Sequence, residues 1–177
     1  MNHSGKFVKL NKSIHDRASF DCGEAELNQF LQKYSSRHME AGISTTRVLP
    51  ASKLSSNGRY PIFAFYTISP NSIKRESLPK PYKKNLPQYP IPVFQIAQMA
   101  VQSAYQGQGL GKITLVKALQ YLWLIKNKYL NSYAVIVDCL NESVERFYTR
   151  YGFQVLEQDA GRNRLFLPMA ILDSLFK

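Results

Sequence analysis

The sequence predicts an α/β protein with one mixed sheet. Segments rich in β-branched and aromatic residues dominate the first part of the chain, and strand and helix patterns alternate in the second part. Two apolar strands, at residues 93–102 and 133–140, flank the best helical pattern, so we expect a parallel pair joined by a right-handed crossover. With 177 residues and no repeat or linker, the chain is expected to form one domain, residues 1–177.

The first part of the chain is expected to begin with a short strand at residues 7–10. Apolar residues at helical spacing predict a helix over residues 24–40, with Gly23 as its N-cap and Gly42 just after its end. The apolar positions of this helix are Leu27, Phe30, Leu31, Tyr34 and His38. Strands are predicted at residues 44–51 and 59–69, on either side of a turn at residues 52–58.

Residues 70–92 differ from the rest by their six prolines and five basic residues. We expect a long connection with at most one short helix. A connection of that length in a compact domain is usually functional or mobile. Its basic residues are Lys74, Arg75, Lys80, Lys83 and Lys84.

The second part of the chain contains the clearest helix pattern, over residues 111–130. Its apolar face is expected to comprise Ile113, Val116, Leu119, Leu122 and Trp123. After the strand at residues 133–140, Asn141 is expected to cap a short helix that ends at Gly152. The closing strands are predicted at residues 153–157 and 163–169, joined by a turn at residues 158–162.

Net charge is the unusual feature of the composition. The 23 basic and 12 acidic residues give a formal charge of +11, which favours nucleic acid, nucleotide cofactors or an acidic protein partner. A solvated basic surface without such a partner is the alternative. No apolar run reaches the ~20 residues that span a bilayer, and the N-terminus lacks the apolar region of a signal peptide. We therefore expect a soluble, cytoplasmic protein.

The sequence gives little support for a metal site or a disulfide. Cys22 and Cys139 are isolated, and His3, His15 and His38 have no partners at metal-ligand spacing. We expect Cys139 to fill a strand core and Cys22 to lie in a turn, and we expect no metal.

Residues 95–117 contain the clearest functional pattern. A strand leads into a loop with Gly107, Gly109 and Gly111, and a helix begins at once. This arrangement directs backbone N–H groups and a helix N-terminus toward an anion. The spacing excludes a P-loop, which needs Ser or Thr where Ile113 stands, and a dinucleotide-binding loop, whose glycines are spaced differently. A glycine-rich turn without a ligand is the alternative.

Two motifs together resemble the GNAT N-acetyltransferase superfamily. Gln106, Gly109 and Gly111 match its pyrophosphate-binding pattern Q-x-x-G-x-G, and residues 99–101 are similar to its splayed strand. Residues 141–153 (NESVERFYTRYGF) are similar to its second signature. The resemblance implies the single-domain acyl-CoA N-acyltransferase fold, with a mixed, centrally splayed sheet flanked by helices. It also implies an acetyltransferase with acetyl-CoA as the donor.

The resemblance also implies roles for individual residues. Tyr148 would protonate the leaving thiolate as general acid, while acetyl passes directly to a neutral amine and no general base is assigned. The backbone of residues 99–101 would pair with pantetheine and stabilise the developing oxyanion. On the helix pattern alone, Tyr148 is a core aromatic and Asn141 only a cap. The residues expected to bind acetyl-CoA are Met99, Ala100, Val101, Gln106, Gly107, Gln108, Gly109, Leu110, Gly111, Lys112, Asn141, Phe147 and Tyr148.

A narrower resemblance, to the GNAT toxins of bacterial toxin–antitoxin pairs, rests on residues 20–31, 89–92 and 164–169. It implies acetylation of the α-amino group of aminoacyl-tRNA, a ribbon-helix-helix antitoxin as partner, and a homodimer. Gln98 and Gln102 depart from the subgroup, which usually has Arg and Asp there. The residues that would contact tRNA phosphates are Lys74, Arg75, Lys80, Lys83 and Lys84.

Two other functions are compatible with the sequence. A GNAT enzyme that acetylates a protein or a small-molecule amine would carry the same two motifs. A non-catalytic protein of this fold would bind CoA and use its positive charge to hold nucleic acid.

Overall fold

The computed structural model describes residues 3–159 and 162–177. They form a mixed β-sheet flanked by helices, so the predicted α/β class is confirmed. Contacts divide the chain into two compact units, Met1–Ser69 with Ala97–Ala118, and Pro70–Ile96 with Leu119–Lys177. Three elements contribute to both units: β4 (Tyr60–Ile73), β5 (Ile91–Val101) and α4 (Leu110–Lys128).

The first unit is built on antiparallel strands. β1 (Val8–Lys9) pairs with β3 (Thr45–Pro50), and β3 pairs with β4 in a register that places Val48 opposite Phe65. A short parallel strand that the sequence did not indicate, β2 (His15–Asp16), pairs with the start of β4. β4 is buried on both faces over residues 62–68. Buried strand residues pack with residues of the helical segments and loops in one core. This core comprises Leu10, Phe20, Cys22, Phe30, Leu31, Val48, Ile62, Phe65 and Ala100.

The helix predicted over residues 24–40 is present as three consecutive segments. They are α1 (Ala25–Gln29), a π-helical turn (Phe30–Tyr34) and α2 (Ser35–Glu40). Tyr34 was predicted on the apolar face, but it is 40% exposed. A π turn has a wider hydrogen-bond spacing than an α-helix, so it rotates the following residues away from the face that a regular helix predicts.

One of the two predicted ends of this helix is confirmed. Gly42 follows the helix with φ +72°, and the Ile43 N–H donates to the His38 carbonyl across it, as in a Schellman motif. Gly23 is not the N-cap. Glu24 occupies that position, and Gly23 adopts a left-handed turn one residue earlier.

The second unit contains the predicted parallel pair. β5 pairs with β6 (Ala134–Asp138), with Gln95 opposite Ile136. β8 (Arg162–Pro168) pairs antiparallel with both β6 and β7 (Gln154–Asp159). The middle of the predicted turn at residues 158–162 lies outside the described residues. The closing strands themselves are confirmed.

The connection predicted over residues 70–92 is shorter and better packed than expected. β4 continues through Pro70, and two short helical segments follow, a 3₁₀ turn at Arg75–Ser77 and α3 (Lys80–Lys83). Leu78 is buried in the core of the second unit. This part of the chain is therefore anchored in the core rather than loose.

The long helix α4 and the last helix, α6 (Met169–Phe176), complete the fold. The buried face of α4 includes Leu115 and Leu122, whereas Ile113, predicted on that face, is 46% exposed. Helix α6 was not predicted, because Met169 was expected to belong to the closing strand. Among the described residues, no helix combines the length and apolar character needed to cross a membrane.

Helix α6 is held by one polar cluster and one buried side chain. Asp173 accepts hydrogen bonds from the Trp123 indole and the Lys126 ammonium, each at 3.0 Å. Leu172 is fully buried, and Leu175 on the same helix is 65% exposed. The two leucines therefore provide a matched pair for testing the packing of α6.

Replacing Leu172 by Ala should lower the free energy of unfolding by about 2–5 kcal/mol, because it leaves a cavity in the core. Leu175→Ala should change this free energy by less than about 0.5 kcal/mol. Urea unfolding followed by the fluorescence of Trp123, the only tryptophan, measures both. If the two variants lost equal amounts of unfolding free energy, the burial of Leu172 and the exposure of Leu175 would be contradicted.

Candidate active site

The glycine loop between β5 and α4 lies in the first unit. β5 ends at Val101, a 3₁₀ turn covers Ser103–Tyr105, and α4 begins at Leu110. Gly107 and Gly109 have φ angles of +72° and +81°, which other residues rarely adopt. An added Cβ would meet no atom within 4 Å at either position. The backbone conformation, not lack of space, requires glycine here.

The Gln106 side chain holds the middle of this loop on the core of the first unit. Its Nε2 donates to the Cys22 carbonyl at 2.8 Å and to the Val101 carbonyl at 2.9 Å. Next to it, the Tyr105 ring stacks on Phe63, with 4.1 Å between ring centroids. These two hydrogen bonds from Gln106 position the loop. The expected contact of Gln106 with the cofactor stays a prediction.

A second group of hydrogen bonds fixes the start of the loop. The Asp21 N–H donates to Gln102 Oε1 at 2.8 Å, and the Ser103 N–H and hydroxyl both donate to the Asp21 carbonyl. The Asp21 carboxylate accepts from the Gly23 N–H and from Asn28, and these bonds lower its pKa. The motif at residues 20–31 is thus the anchor of the glycine loop, a contact that the sequence analysis did not foresee.

The first turn of α4 has the properties of an anion site. Its residues are Leu110, Gly111 and Lys112, with no acidic side chain among them. The first N–H groups of an α-helix lack intrahelical partners, and the helix dipole stabilises an anion there by ~0.3–1 kcal/mol. Leu110 is buried and Lys112 is exposed, so apolar packing holds the turn while a cation faces solvent.

The predicted strand residues before the loop are largely buried. Ala100 and Val101 are buried, and Met99 is half-buried. Ala100 belongs to the core of the first unit. Gln98, the uncharged residue at this departure from the toxin pattern, is half-buried.

In the second unit, α5 (Glu142–Arg150) carries the residues of the second motif. Asn141 is its N-cap as predicted, and its Oδ1 accepts from the Val144 N–H at 3.0 Å. Gly152, with φ +90°, follows the C-terminus. The Tyr148 ring is 6% exposed and lies edge-on to Phe147 and Phe153, with centroids 5.2 and 5.3 Å away.

Burial sets the protonation of two groups in this unit. Burial, with a smaller effect of Cys139, raises the pKa of the Tyr148 phenol above its ordinary value of 10. Tyr148 is therefore protonated at neutral pH, which suits a general acid and not a base. Burial also raises the pKa of the Cys139 thiol to about 11, so this cysteine is not an activated nucleophile.

An open cleft of about 980 Å³ runs along α5. Cys139 and Leu140, which follow β6, line it. Two other lining residues are hydrogen-bonded, since the Asn163 amide donates to the Glu145 carboxylate at 2.6 Å. Asn141 is the one lining residue that was predicted as a site residue from the sequence. The lining comprises Cys139, Leu140, Asn141, Glu142, Glu145, Arg146, Thr149, Arg150 and Asn163.

The five basic residues of the 70–92 connection fall into two groups. Arg75 donates twice to the Lys83 carbonyl, at 3.3 and 3.2 Å, and the Lys83 ammonium donates to the Glu76 carbonyl at 2.7 Å. Arg75 and Lys83 therefore maintain the fold of this connection. The others, Lys74, Lys80 and Lys84, have exposed side chains.

A polar network holds this connection on the sheet of the second unit. The Ser77 hydroxyl donates to Glu157 at 2.9 Å, and Glu157 also forms an ion pair with Arg164. Arg164 in turn forms a bidentate ion pair with the Asp138 carboxylate. Its Nε donates to Oδ1 at 2.6 Å and its Nη2 donates to Oδ2 at 2.9 Å. This network accounts for the arginine of the motif at residues 164–169.

Comparison with a family model agrees with this geometry. Residues 80–155 match the family described as acetyltransferase (GNAT) domain. The matched span contains both the glycine loop and α5. Within this span the chain is similar to a GNAT acetyltransferase domain.

Two curated proteins are similar over most of the chain. The "probable toxin TacT" of Sinorhizobium fredii is 28% identical over 174 residues, which cover 94% of this chain and 92% of that protein. The "tRNA-acetylating toxin" of Mycobacterium tuberculosis is 26% identical over 145 residues, which cover 81% of each. The resemblance to GNAT toxins is confirmed.

Solved toxin structures share the fold along nearly the whole chain. A tyrosine-to-phenylalanine mutant of KacT has a TM-score of 0.86 and 26% identity, covering 97% of this chain and 98% of that one. AtaT complexed with acetyl-methionyl-tRNAfMet has a TM-score of 0.85 and 26% identity, covering 97% and 99%. AtaTR bound with AcCoA has a TM-score of 0.82 and 26% identity, covering 97% and 98%.

Gly109→Glu should weaken acetyl-CoA binding by about 100-fold or more, because a carboxylate placed against a pyrophosphate costs several kcal/mol. Gly58→Glu is the matched control. Gly58 has φ +72° and no atom within 4 Å of an added Cβ. A glutamate at this position therefore imposes similar backbone strain, in a turn unrelated to the site. Titration calorimetry measures both affinities. Undiminished affinity in the Gly109 variant would exclude this loop as the anion site.

Proposed function

We propose that this protein is a toxin that transfers the acetyl group of acetyl-CoA to the α-amino group of aminoacyl-tRNA and so blocks translation. The supporting observation is its similarity, along 97% of the chain, to AtaT complexed with acetyl-methionyl-tRNAfMet. The curated tRNA-acetylating relative supports the same acceptor. In this proposal residues 1–177 act as a single GNAT domain.

The glycine loop is the proposed pyrophosphate site of acetyl-CoA. Gly107, Gly109 and the first turn of α4 supply the N–H groups, and Lys112 supplies a positive charge. The hydrogen bonds of Gln106 hold this loop on the core of the first unit. AtaTR bound with AcCoA supports acetyl-CoA as the donor. The backbone of residues 99–101 would receive the pantetheine arm, with Asn141 and Phe147 as further contacts.

Tyr148 is the proposed general acid. When the amine attacks the thioester carbonyl, the carbon–sulfur bond breaks and the departing thiolate needs a proton. Burial raises the pKa of the Tyr148 phenol, so the phenol is protonated at neutral pH and carries a proton that can pass to the thiolate. The α-amine of an aminoacyl ester is weakly basic, so much of it is neutral and needs little help from a base. The protonated state of Cys139 is consistent with direct transfer and no acyl-cysteine.

The relatives also suggest protein partners. We propose a ribbon-helix-helix antitoxin as the partner of this chain and a homodimer as its active form. Cytoplasmic location follows from the proposed acceptor, because charged tRNA is used there. A gene for a small ribbon-helix-helix protein beside this one would support the antitoxin, and sedimentation of the purified protein would test the dimer.

Mass spectrometry of total aminoacyl-tRNA, incubated with the protein and acetyl-CoA, tests the proposed reaction. We expect N-acetyl-aminoacyl-tRNA from the wild type. Tyr148→Phe should lower kcat by about 10²–10⁴-fold, because the general acid is lost, while acetyl-CoA affinity is kept. Tyr151→Phe, one turn further along and half-buried, is the control. Acetylation of a protein or small amine with no product on tRNA would contradict the proposal.

Changing Lys74, Lys80 and Lys84 together to Gln should raise KM for tRNA more than KM for acetyl-CoA. Exposed cations contribute mainly through phosphates, so the salt dependence of tRNA binding should fall as well. The matched variant changes Lys6, Lys53 and Lys177, which are exposed and remote in sequence. Steady-state kinetics at several salt concentrations measures both. Equal increases in the two KM values would argue against a tRNA-facing connection.

A further inference from the structure

A cluster of basic side chains in the first unit lies outside every residue assigned above. It surrounds the π-helical turn, Phe30–Tyr34. One surface depression there is lined by four basic residues, one exposed tyrosine and one carboxylate, and a second depression shares three of its lining residues. We call these side chains the helical basic cluster, which comprises Lys12, Arg17, Lys33, Tyr34, Arg37 and Glu40.

The charges of this cluster are unbalanced. Glu40 pairs with Lys12 at 2.6 Å, and Lys12 is the largest cause of its lowered pKa, with smaller effects of Arg17 and Arg37. Burial and the nearby charge of Arg59 lower the pKa of Arg17. One carboxylate thus lies among several cations, and the excess positive charge favours an anionic ligand.

The cluster also presents an aromatic ring to solvent. The π turn leaves the Tyr34 ring 40% exposed, and the His38 ring lies 6.4 Å from it. Arg17 donates to the Leu31 carbonyl at 3.5 Å, so one of the cations is attached to the same turn. Cations around an exposed aromatic ring are the combination with which proteins bind unpaired nucleotides.

We propose that the helical basic cluster is an RNA-binding subsite. It holds backbone phosphates of the acceptor tRNA, and Tyr34 stacks on an unpaired base. This inference rests on the proposed function and adds a contact surface distinct in sequence from the 70–92 connection. The aromatic ring favours RNA over an acidic peptide, because a peptide carboxylate uses the cations but not the ring face.

The test measures the binding of fluorescently labelled, uncharged tRNA to the full-length protein by anisotropy at several salt concentrations. Lys33→Gln with Arg37→Gln should weaken binding on the order of tenfold at low salt and reduce the slope of log Kd against log salt by about 1.5. Both residues are exposed. Arg17 is left unchanged because it also holds Leu31. Lys6→Gln with Lys53→Gln removes the same charge elsewhere in the first unit and should change Kd less than about threefold.

Two further variants test the details of the subsite. Glu40→Gln removes the only carboxylate lining the depression and should tighten tRNA binding. Tyr34→Ala should weaken it by about tenfold through lost stacking, and Tyr34→Phe, which keeps the ring, should weaken it less. Tighter binding in one variant and weaker binding in the other cannot both arise from general damage to the fold.

The outcomes separate this inference from the proposed function. Unchanged tRNA affinity in the Lys33/Arg37 variant overturns the subsite, even if the wild type acetylates aminoacyl-tRNA. Binding of a polyglutamate peptide that depends on Lys33 and Arg37, with no such dependence for tRNA, overturns it in favour of an acidic protein partner. Weaker tRNA binding by the Lys33/Arg37 variant, with the control variant unchanged, supports the subsite. The anisotropy assay measures binding and not acetyl transfer, so this result does not depend on the effect of Tyr148→Phe on catalysis.

Discussion

Two hydrogen bonds from one side-chain amide fix the loop on which the candidate site depends. Gln106 Nε2 binds the carbonyls of Cys22 and Val101. Cys22 belongs to the core of the first unit, and Val101 ends a long strand, so the loop acquires the rigidity of both. Each bond contributes only ~0.5–1.5 kcal/mol to stability. At the proposed anion site their larger effect would be on affinity, because they hold the N–H groups of Gly107, Gly109 and α4 in one arrangement and so reduce the ordering cost of binding.

Features set by neighbouring residues were predictable from the sequence. The Asn141 cap, the turn at Gly152 and the apolar strand β6 each depend on a few consecutive positions, and all are confirmed. Features set by tertiary packing were not. The π turn, the extension of β4 through Pro70 and the helix α6 depend on what each segment packs against, and local propensity does not contain that information.

The same division applies to the candidate site. Its motif residues could be identified from spacing, because glycine φ angles and helix termini are local requirements. The contacts that position them join residues far apart in the chain. Gln106 bonds to Cys22, 84 residues away, and Ser77 bonds to Glu157, 80 residues away. The sequence marked residues 20–31 and 164–169 as similar to toxins but contained no sign that they anchor the loop and the 70–92 connection.

The state of the cysteines has a practical consequence. Both native thiols are buried, and burial raises the pKa of each, for Cys139 to about 11. Alkylating reagents attack thiolates, so at neutral pH they react slowly with either residue. A single cysteine introduced on an exposed helix face would therefore take up a fluorophore or spin label selectively, without removal of the native pair. Spectroscopy of labelled protein is thus possible in an otherwise unaltered chain.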